Sequence, residues 1–238
     1  MHCAQFASKV PAKRTFHELL LLRRTGAECI GVFFLVLAAC GSVMIGGLTG
    51  AYAQHGMTFS PWLVVMVMVA ATDHLSRAHL NPAVTLAFSL SGPFSWREVP
   101  HYVVGQLVPA ALEAAVLRLL FGNVSTLGAN LPSGPIAQSL VMEVLVTANL
   151  MFVILAVATD RRAKELPAVL AIGGTVALNV LWTGPISGAS MNPARSFGPV
   201  LISGVWTAHW IYWVSPIIGA ALGAFAYELV RSTEPGGV

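Results

Sequence analysis

Six long apolar stretches dominate the sequence, and polar or Gly/Pro-rich connectors separate them. A helix of about 20 apolar residues is long enough to cross the hydrocarbon core of a bilayer. We therefore predict six transmembrane helices. Their predicted bounds are Thr25–Gly47, Phe59–Thr72, Trp96–Phe121, Ile136–Thr159, Leu166–Trp182 and His209–Val230.

Two shorter apolar segments begin with the same tripeptide, Asn81-Pro82-Ala83 and Asn192-Pro193-Ala194. Asparagine is a good helix N-cap, and proline fits the first helical position because its missing N–H has no partner there. The predicted helices, 81–90 and 192–203, have ten and twelve residues, which is too short to span a membrane. Two such half helices predict a polar site near the membrane midplane.

The order of these segments forms an internal repeat, since each half of the chain has two spans, a half helix and a third span. An odd number of spans inverts the second half relative to the first. We predict an all-α membrane protein with six transmembrane helices and two re-entrant half helices in an inverted repeat. The predicted membrane domain is 24–231, with repeats at about 24–121 and 136–230, a cytoplasmic tail at 1–23 and a C-terminal tail at 232–238.

Lys and Arg are unevenly distributed among the connectors, and this distribution predicts which side of the membrane each connector faces. Loops rich in Lys and Arg remain on the cytoplasmic side. With both termini cytoplasmic, eleven of the 13 basic residues lie inside: Lys9, Lys13, Arg14, Arg23, Arg24, Arg77, Arg97, Arg161, Arg162, Lys164 and Arg231. The two others are Arg118 and Arg195. Both termini are therefore predicted to be cytoplasmic.

Composition supports this class and excludes others. Hydrophobic residues make up 56% of the 238 residues and charged residues only 10%, which is typical of an integral membrane protein. The net charge of +3 is too small to indicate a nucleic-acid partner. Three cysteines show no metal or disulfide spacing, so we expect inert thiols, no metal and no cofactor.

The two Asn-Pro-Ala tripeptides, six spans, and the acids Glu28 and Glu143 in spans one and four resemble the aquaporin family (major intrinsic proteins). The segments 62–69 and 184–191 are similar to its nodulin-like branch and that branch's bacterial relatives. The resemblance covers about 25–230. It implies an aquaporin-like channel for water and small neutral solutes, in the lipid bilayer of a plasma or inner membrane. It also implies a homotetramer with one pore per subunit, without catalytic residues.

The resemblance further assigns roles around the pore. The half helices would meet at mid-pore, where the amides of Asn81 and Asn192 face the lumen; a mere N-cap role is the alternative. Arg195 would lie in the outer filter, although a structural arginine paired with a buried acid is an alternative. The backbone carbonyls of the two loops would line the pore: Arg77, Ala78, His79, Leu80, Gly188, Ala189, Ser190 and Met191.

The acids Glu28 and Glu143 are expected to support these loops through hydrogen bonds, because backbone buried in a membrane needs partners. Pore acids are the alternative. His74 and His79 are expected on the cytoplasmic approach, as a pH-sensitive constriction or as packing residues. Asp73 and Arg77 stand where relatives usually have glycine, and they are spaced to pair with each other. Glu113 has no counterpart, and a subunit contact or Arg118 are its candidate partners.

Counting from the asparagines, the filter residues are predicted as Pro61, Val180, Ala189 and Arg195, with Trp62 replacing Pro61 if the register slips by one. Water-only relatives usually have a bulky aromatic residue and a histidine at the first two positions. Proline and valine predict a wider and more apolar filter, which would pass glycerol, urea or neutral metalloid acids such as arsenite or boric acid.

Other signals keep alternatives open. Ser196 replaces the aspartate of glycerol facilitators, and Tyr212-Trp213 looks more like water channels, so a water-selective aquaporin is one alternative. A secondary transporter built on an inverted repeat is another, with the Glu28 and Glu143 pair as its ion-binding group. An intramembrane serine hydrolase would rest on Gly188-Ala189-Ser190 and several histidines, but no nucleophile–base arrangement stands out and Gly-x-Ser alone is weak, so we do not expect an enzyme.

Overall fold

The computed structural model describes residues 13–50, 54–159 and 166–231, and this part of the chain is helical without strands. Its α-helices are α1 (Lys13–Thr49), α2 (Gln54–Ser76), α3 (Pro82–Leu90), α4 (Val99–Phe121), α5 (Ile136–Thr159), α6 (Leu166–Ser187), α7 (Pro193–Ser203) and α8 (Ile211–Val230). A short 3-10 turn at Ser125–Gly128 lies in the connector between α4 and α5.

The six predicted spans are confirmed as helices that are long and apolar enough to cross a membrane: α1, α2, α4, α5, α6 and α8. The half helices are α3, of nine residues, and α7, of eleven. The order of elements repeats, so that α1–α4 correspond to α5–α8. The predicted all-α fold with two half helices is therefore correct.

Several helix ends differ from the predicted ones, and α2, α4 and α8 begin at Gln54, Val99 and Ile211. α1 begins at Lys13, inside the predicted cytoplasmic tail, because the apolar residues Leu19–Leu22 continue the helical run. α2 extends to Ser76 and α6 extends to Ser187. Both extensions bring a serine to a buried carboxylate, at 2.6 Å from Glu28 and 2.8 Å from Glu143 respectively.

Several predicted features lie outside the described residues. These are most of the N-terminal tail with Cys3 and Lys9, the basic turn at 160–165, and the C-terminal tail at 232–238. The distribution of basic residues and the cytoplasmic termini inferred from it stay predictions.

Polar and apolar side chains are arranged as expected for a protein surrounded by lipid. Large apolar side chains on the spans are more than half exposed, including Leu112, Leu145, Leu178 and Phe225. Polar groups are instead inside, and Glu28, Gln106, Glu113 and Glu143 are fully buried. Exposed apolar and buried polar side chains would be unfavourable in water, but they are favourable in a lipid bilayer. The chain is an integral, multi-pass membrane protein.

Glycines allow the helices to approach each other closely. A Cβ atom added at Gly223 of α8 would lie 2.2 Å from the backbone oxygen of Ala148 in α5. A Cβ atom added at Gly198 of α7 would lie 2.1 Å from the backbone oxygen of Ala110 in α4. Small residues at such crossings are the usual means of tight helix packing in membranes.

This packing predicts that Gly223→Ala lowers thermal stability, since the methyl group meets backbone that cannot rotate away. Overpacking of this kind costs about 1–3 kcal/mol. Gly174→Ala in α6 is the matched control, because no atom lies within 4 Å of its added Cβ. The melting temperature of detergent-solubilised protein, followed by size-exclusion chromatography, should fall for the first variant only. Equal melting temperatures would contradict this account of the α5–α8 contact.

Candidate pore and selectivity filter

A cavity of about 1470 Å³ passes between the two repeats. Asp73, His74 and Arg77, at the C-terminal end of α2 and just after it, belong to its lining, and so do Asn130 and Arg195. Since successive spans alternate in direction, α2 and α6 end on opposite sides, and we call the two ends of the cavity its mouths. Both asparagines of the Asn-Pro-Ala tripeptides also line the cavity.

Each half helix is preceded by a loop with unusual backbone conformation. In the first loop Arg77, Ala78 and Leu80 have positive φ angles of 68°, 42° and 51°. In the second loop Gly188, Ala189 and Met191 repeat the pattern with 83°, 47° and 53°. The left-handed region costs a non-glycine residue roughly 1–2 kcal/mol, so other contacts must hold these loops.

Glu28 provides those contacts for the first loop. Its carboxylate accepts hydrogen bonds from the backbone N–H groups of His79 at 3.0 Å and Leu80 at 2.6 Å. The Ser76 hydroxyl and the Gln106 amide donate to the same carboxylate at 2.6 and 2.8 Å. Buried backbone that is not in a helix is thereby satisfied.

Glu143 holds the second loop in the same way. It accepts hydrogen bonds from the backbone N–H groups of Ser190 at 2.8 Å and Met191 at 2.9 Å, and from the Ser187 hydroxyl at 2.8 Å. Neither acid is among the residues that line the cavity. The geometry agrees with loop support and not with pore acids.

Two tyrosines complete this repeated arrangement. The Tyr102 hydroxyl donates to the backbone oxygen of Ser76 at 2.9 Å, and the Tyr212 hydroxyl donates to that of Ser187 at 2.7 Å. Each tyrosine is fully buried and fixes the end of the helix that leads into a loop. These serines and tyrosines were not among the predicted site residues, although both are repeated in the sequence.

The two asparagines connect the loops to each other. Asn81 donates from its amide nitrogen to the Met191 carbonyl at 2.8 Å, and Asn192 donates to the Leu80 carbonyl at 2.8 Å. Their side-chain oxygens cap α3 and α7, accepting from the N–H groups of Ala83 and Ala194. An amide NH₂ has two hydrogens, so one on each asparagine remains available to a molecule in the cavity.

All eight loop residues whose carbonyls were predicted to line the pore do line the cavity. Three of these carbonyls also accept internal hydrogen bonds. Leu80 and Met191 accept from the asparagines, and Gly188 accepts from the Asn130 amide at 2.7 Å. A carbonyl has two lone pairs, so these bonds do not preclude contact with a solute.

The four predicted filter residues, Pro61, Val180, Ala189 and Arg195, line the same cavity. Trp62, the alternative to Pro61, does not line it. The Trp62 side chain instead lies against α6, where its ring carbon is 3.1 Å from a Cβ added at Gly173. The cavity lining therefore favours Pro61 over Trp62, and the assignment of the filter stays a prediction.

Arg195 is held by the connector that precedes α5. Its guanidinium donates to the Gly128 carbonyl at 2.8 Å and to the Asn130 side-chain oxygen at 2.5 Å. The Ser196 hydroxyl donates to the same oxygen of Asn130 at 2.8 Å. No acid accepts a hydrogen bond from Arg195 in the described contacts, so the paired-arginine alternative is not supported.

Asn130 is the site residue that sequence reasoning missed. It contacts Arg195, Ser196 and Gly188 at once, and it is 98% buried. Only its place in a Gly/Pro-rich connector was visible in the sequence. Its burial and its contacts are visible only in the structure, so the sequence offered no signal beyond an asparagine in a long connector.

The residues at the other mouth differ from one another. His74 is exposed and lines the cavity. The His79 ring is buried, stacks on Phe88 with a centroid distance of 4.7 Å, and contacts the Thr85 hydroxyl, which favours its packing role. Arg77 donates from its guanidinium to the Pro93 carbonyl at 3.0 Å and not to Asp73.

Known proteins share this architecture. A family model described as "Major intrinsic protein" matches residues 15–227. This chain belongs to the major intrinsic protein family. It is similar to aquaporin NIP1-1 of Zea mays, with 48% identity over 98% of this chain and 80% of that one. It is also similar to aquaporin NIP1-4 of Oryza sativa subsp. japonica, with 48% identity over 94% and 81%.

A solved structure of the same fold is the aquaglyceroporin from Plasmodium falciparum. Its TM-score against this family member is 0.79, with 22% sequence identity, and the match covers 88% of this chain and 96% of that one. At this identity the likeness concerns the arrangement of helices and half helices only.

The contacts of Asn130 predict that Asn130→Ala loosens the filter. Loss of a hydrogen bond to a charged group costs roughly 1.5–3 kcal/mol, so Arg195 should become mobile. We expect the ratio of glycerol to water permeability in proteoliposomes to change while the protein still assembles. Asn123→Ala, on the exposed part of the same connector, is the control and should leave this ratio unchanged. A wild-type ratio in Asn130→Ala would show that Asn130 does not position Arg195.

Proposed function

We propose that this chain is a passive transmembrane channel for water and small uncharged solutes, and that it excludes protons and ions. The solute class comprises glycerol, urea and neutral metalloid acids such as arsenite and boric acid. The observation that carries this solute class is the lining of the filter by Pro61, Val180 and Ala189 beside Arg195. None of these four residues is aromatic.

The lining supports passage of a molecule larger than water. Selectivity in such pores depends on diameter and on the hydrogen-bonding groups of the wall. Arg195 donates hydrogen bonds, the carbonyls of Gly188 and Ala189 accept them, and Val180 offers an apolar surface on the same cavity. A small polyol, with hydroxyl groups on one side and carbon on the other, fits this distribution.

Exclusion of protons and cations is supported by the middle of the pore. Two helix N-termini, each with a partial positive charge, meet at Asn81 and Asn192. The free amide hydrogens would occupy the lone pairs of a passing water molecule, which interrupts proton transfer along a chain of waters. Arg195 adds a full positive charge near one mouth.

The water-selective alternative has weaker support in the structure. Ser196 bonds to Asn130, the Tyr212 hydroxyl bonds to Ser187, and the Trp213 indole donates to His209 at 3.0 Å. None of Ser196, Tyr212 and Trp213 lines the cavity. They support the wall from behind, so we give them less weight than the lining residues.

The transporter alternative needs acids that exchange ions with the pore. Glu28 and Glu143 are fully buried, do not line the cavity and bind backbone N–H groups of the loops. A passive channel therefore accounts for them better. The same geometry gives no reason to propose an enzyme, and the proposed activity needs no cofactor.

We propose a homotetramer with one pore per subunit, in a plasma or inner membrane, with both termini cytoplasmic. The tetramer follows from the family resemblance. The orientation follows from the concentration of Lys and Arg on one side of the predicted spans. We also propose that residues 24–231 form the membrane domain, with short tails before and after it.

The decisive variant is Val180→His, which should narrow the filter and add a polar group. Discrimination by size in such sites is roughly ten-fold or more, so we expect glycerol permeability to fall about ten-fold while water permeability is retained. Val180→Ala is the matched control and should keep or increase glycerol permeability. Stopped-flow light scattering on proteoliposomes measures both. Wild-type protein that already excludes glycerol, urea and boric acid would refute the proposed solute class.

A further inference from the structure

Arg77 occupies a backbone position that favours glycine. Arg77 and Gly188 are each the fourth residue before the asparagine of an Asn-Pro-Ala tripeptide, and their φ angles are 68° and 83°. Glycine adopts such angles at no steric cost, whereas a residue with a Cβ atom is strained there. The first repeat thus carries an arginine where the second repeat has glycine on the same backbone. Because glycine would relieve this strain, the arginine side chain needs a use of its own.

The Arg77 side chain lies at the end of the cavity where α2 ends. Together with Asp73 and His74 it lines the cavity there, and we call these three residues the α2 mouth. The Arg77 guanidinium donates a hydrogen bond at 3.0 Å to the carbonyl of Pro93, which follows α3 and also lines the cavity. The side chain therefore connects the loop before α3 with the turn after it.

The contact between Arg77 and Pro93 borders two spaces. A smaller pocket of about 320 Å³ shares all three residues of the α2 mouth, and Pro93, with the cavity. The ion pair between Arg24 and Glu98, with an N–O distance of 3.3 Å, lines this pocket but not the cavity. Arg77 is exposed, so burial in the core does not account for its conformation. Removing its side chain would join the pocket to the cavity and so widen the α2 mouth.

The walls at this end of the cavity combine hydrogen-bond donors with apolar surface. Because successive spans alternate in direction, α5 ends and α6 begins on the side of the membrane where α2 ends. Aliphatic residues near these helix ends line the cavity: Val157, Ala158 and Ala168. A guanidinium has five N–H groups, of which the described hydrogen bonds of Arg77 occupy one. The α2 mouth therefore resembles the surroundings of Arg195, where an arginine also lies beside aliphatic residues.

We propose that Arg77 is a specificity-determining residue, which forms a second constriction of the passage at the α2 mouth. The side chain narrows the mouth, and its remaining N–H groups bind the hydroxyl or carbonyl oxygens of an entering solute. Small neutral polyols and urea pass such a constriction, and bulkier molecules are retarded. A solute then meets two arginines in series, Arg77 and Arg195. This inference rests on the proposed function, since it concerns the solutes that the channel carries.

The test uses Arg77→Gly, which removes the side chain and fits the left-handed backbone. Stopped-flow light scattering on proteoliposomes measures the permeability of glycerol and of erythritol, a polyol with one more carbon. Both are measured in the wild type and in Val180→Ala, whose wider filter leaves the α2 mouth as the narrower barrier. In Val180→Ala, the further change Arg77→Gly should raise the ratio of erythritol to glycerol permeability about ten-fold, the scale of discrimination by one carbon.

Melting temperatures separate a constriction from a purely structural role. Arg77→Gly relieves the backbone strain, so its melting temperature should equal or exceed that of the wild type. Arg77→Ala also removes the side chain but keeps the strain, and it should melt about 2–4 °C below Arg77→Gly. Both variants should raise the permeability ratio equally, because both open the mouth. A lower melting temperature of Arg77→Gly with an unchanged ratio would show that Arg77 serves only the fold.

Two controls test whether the side chain at position 77 is the cause. Arg77→Lys keeps a long side chain with N–H donors and should keep the ratio of the unchanged protein. Arg97→Ala removes another exposed basic side chain, which lines neither the cavity nor the smaller pocket, and should also leave the ratio unchanged. A ten-fold rise in either control would contradict the proposed constriction.

The outcomes distinguish the failure of this inference from that of the proposed function. If neither the wild type nor Val180→Ala passes glycerol or urea, the proposed solute class fails, and this inference fails with it. If Val180→Ala passes glycerol and the further change Arg77→Gly leaves the permeability ratio unchanged, only the role of Arg77 is refuted.

Discussion

The structure depends on the hydrogen bonds that two buried carboxylates accept from backbone that turns back inside the membrane. An unsatisfied N–H group in hydrocarbon costs several kcal/mol, and the loops before α3 and α7 also contain left-handed residues such as Arg77 and Met191. Glu28 and Glu143 relieve both problems, because each binds two consecutive N–H groups of its loop. Without these acids, two consecutive N–H groups of each loop would lack a hydrogen-bond partner inside the membrane.

Fixing the loops has consequences along the pore. The carbonyls that precede each half helix come to line the cavity, and the half helices meet with their N-termini together. Each asparagine then reaches the carbonyl at the end of the opposite loop. The contact at mid-pore is therefore reciprocal, because each half of the chain donates a hydrogen bond to the loop of the other half. Arg195, which has no equivalent in the first half, makes one mouth chemically different from the other.

Much of this was predictable from the sequence because the decisive residues are repeated. Asn81 and Asn192 predicted two capped half helices, and the acids in spans one and four were expected to support the loops, with pore acids as the alternative. The predicted filter residues follow from the same register, and Pro61 rather than Trp62 lies on the cavity.

What could not be predicted depends on contacts between distant segments. Asn130 reaches Arg195 from a connector whose path no periodicity describes. The C-terminal ends of α2 and α6 were missed because each includes a serine, Ser76 or Ser187, whose contact with a buried carboxylate is visible only in the structure.

We propose that these loops form an open passage whose middle carries water and neutral solutes but no protons. The most direct measurement is simultaneous osmotic water flux and proton flux through the purified wild-type protein, in proteoliposomes that contain a pH-sensitive dye. We expect water flux well above that of empty vesicles, with proton flux no greater than theirs. Proton flux that rises in proportion to water flux would contradict it.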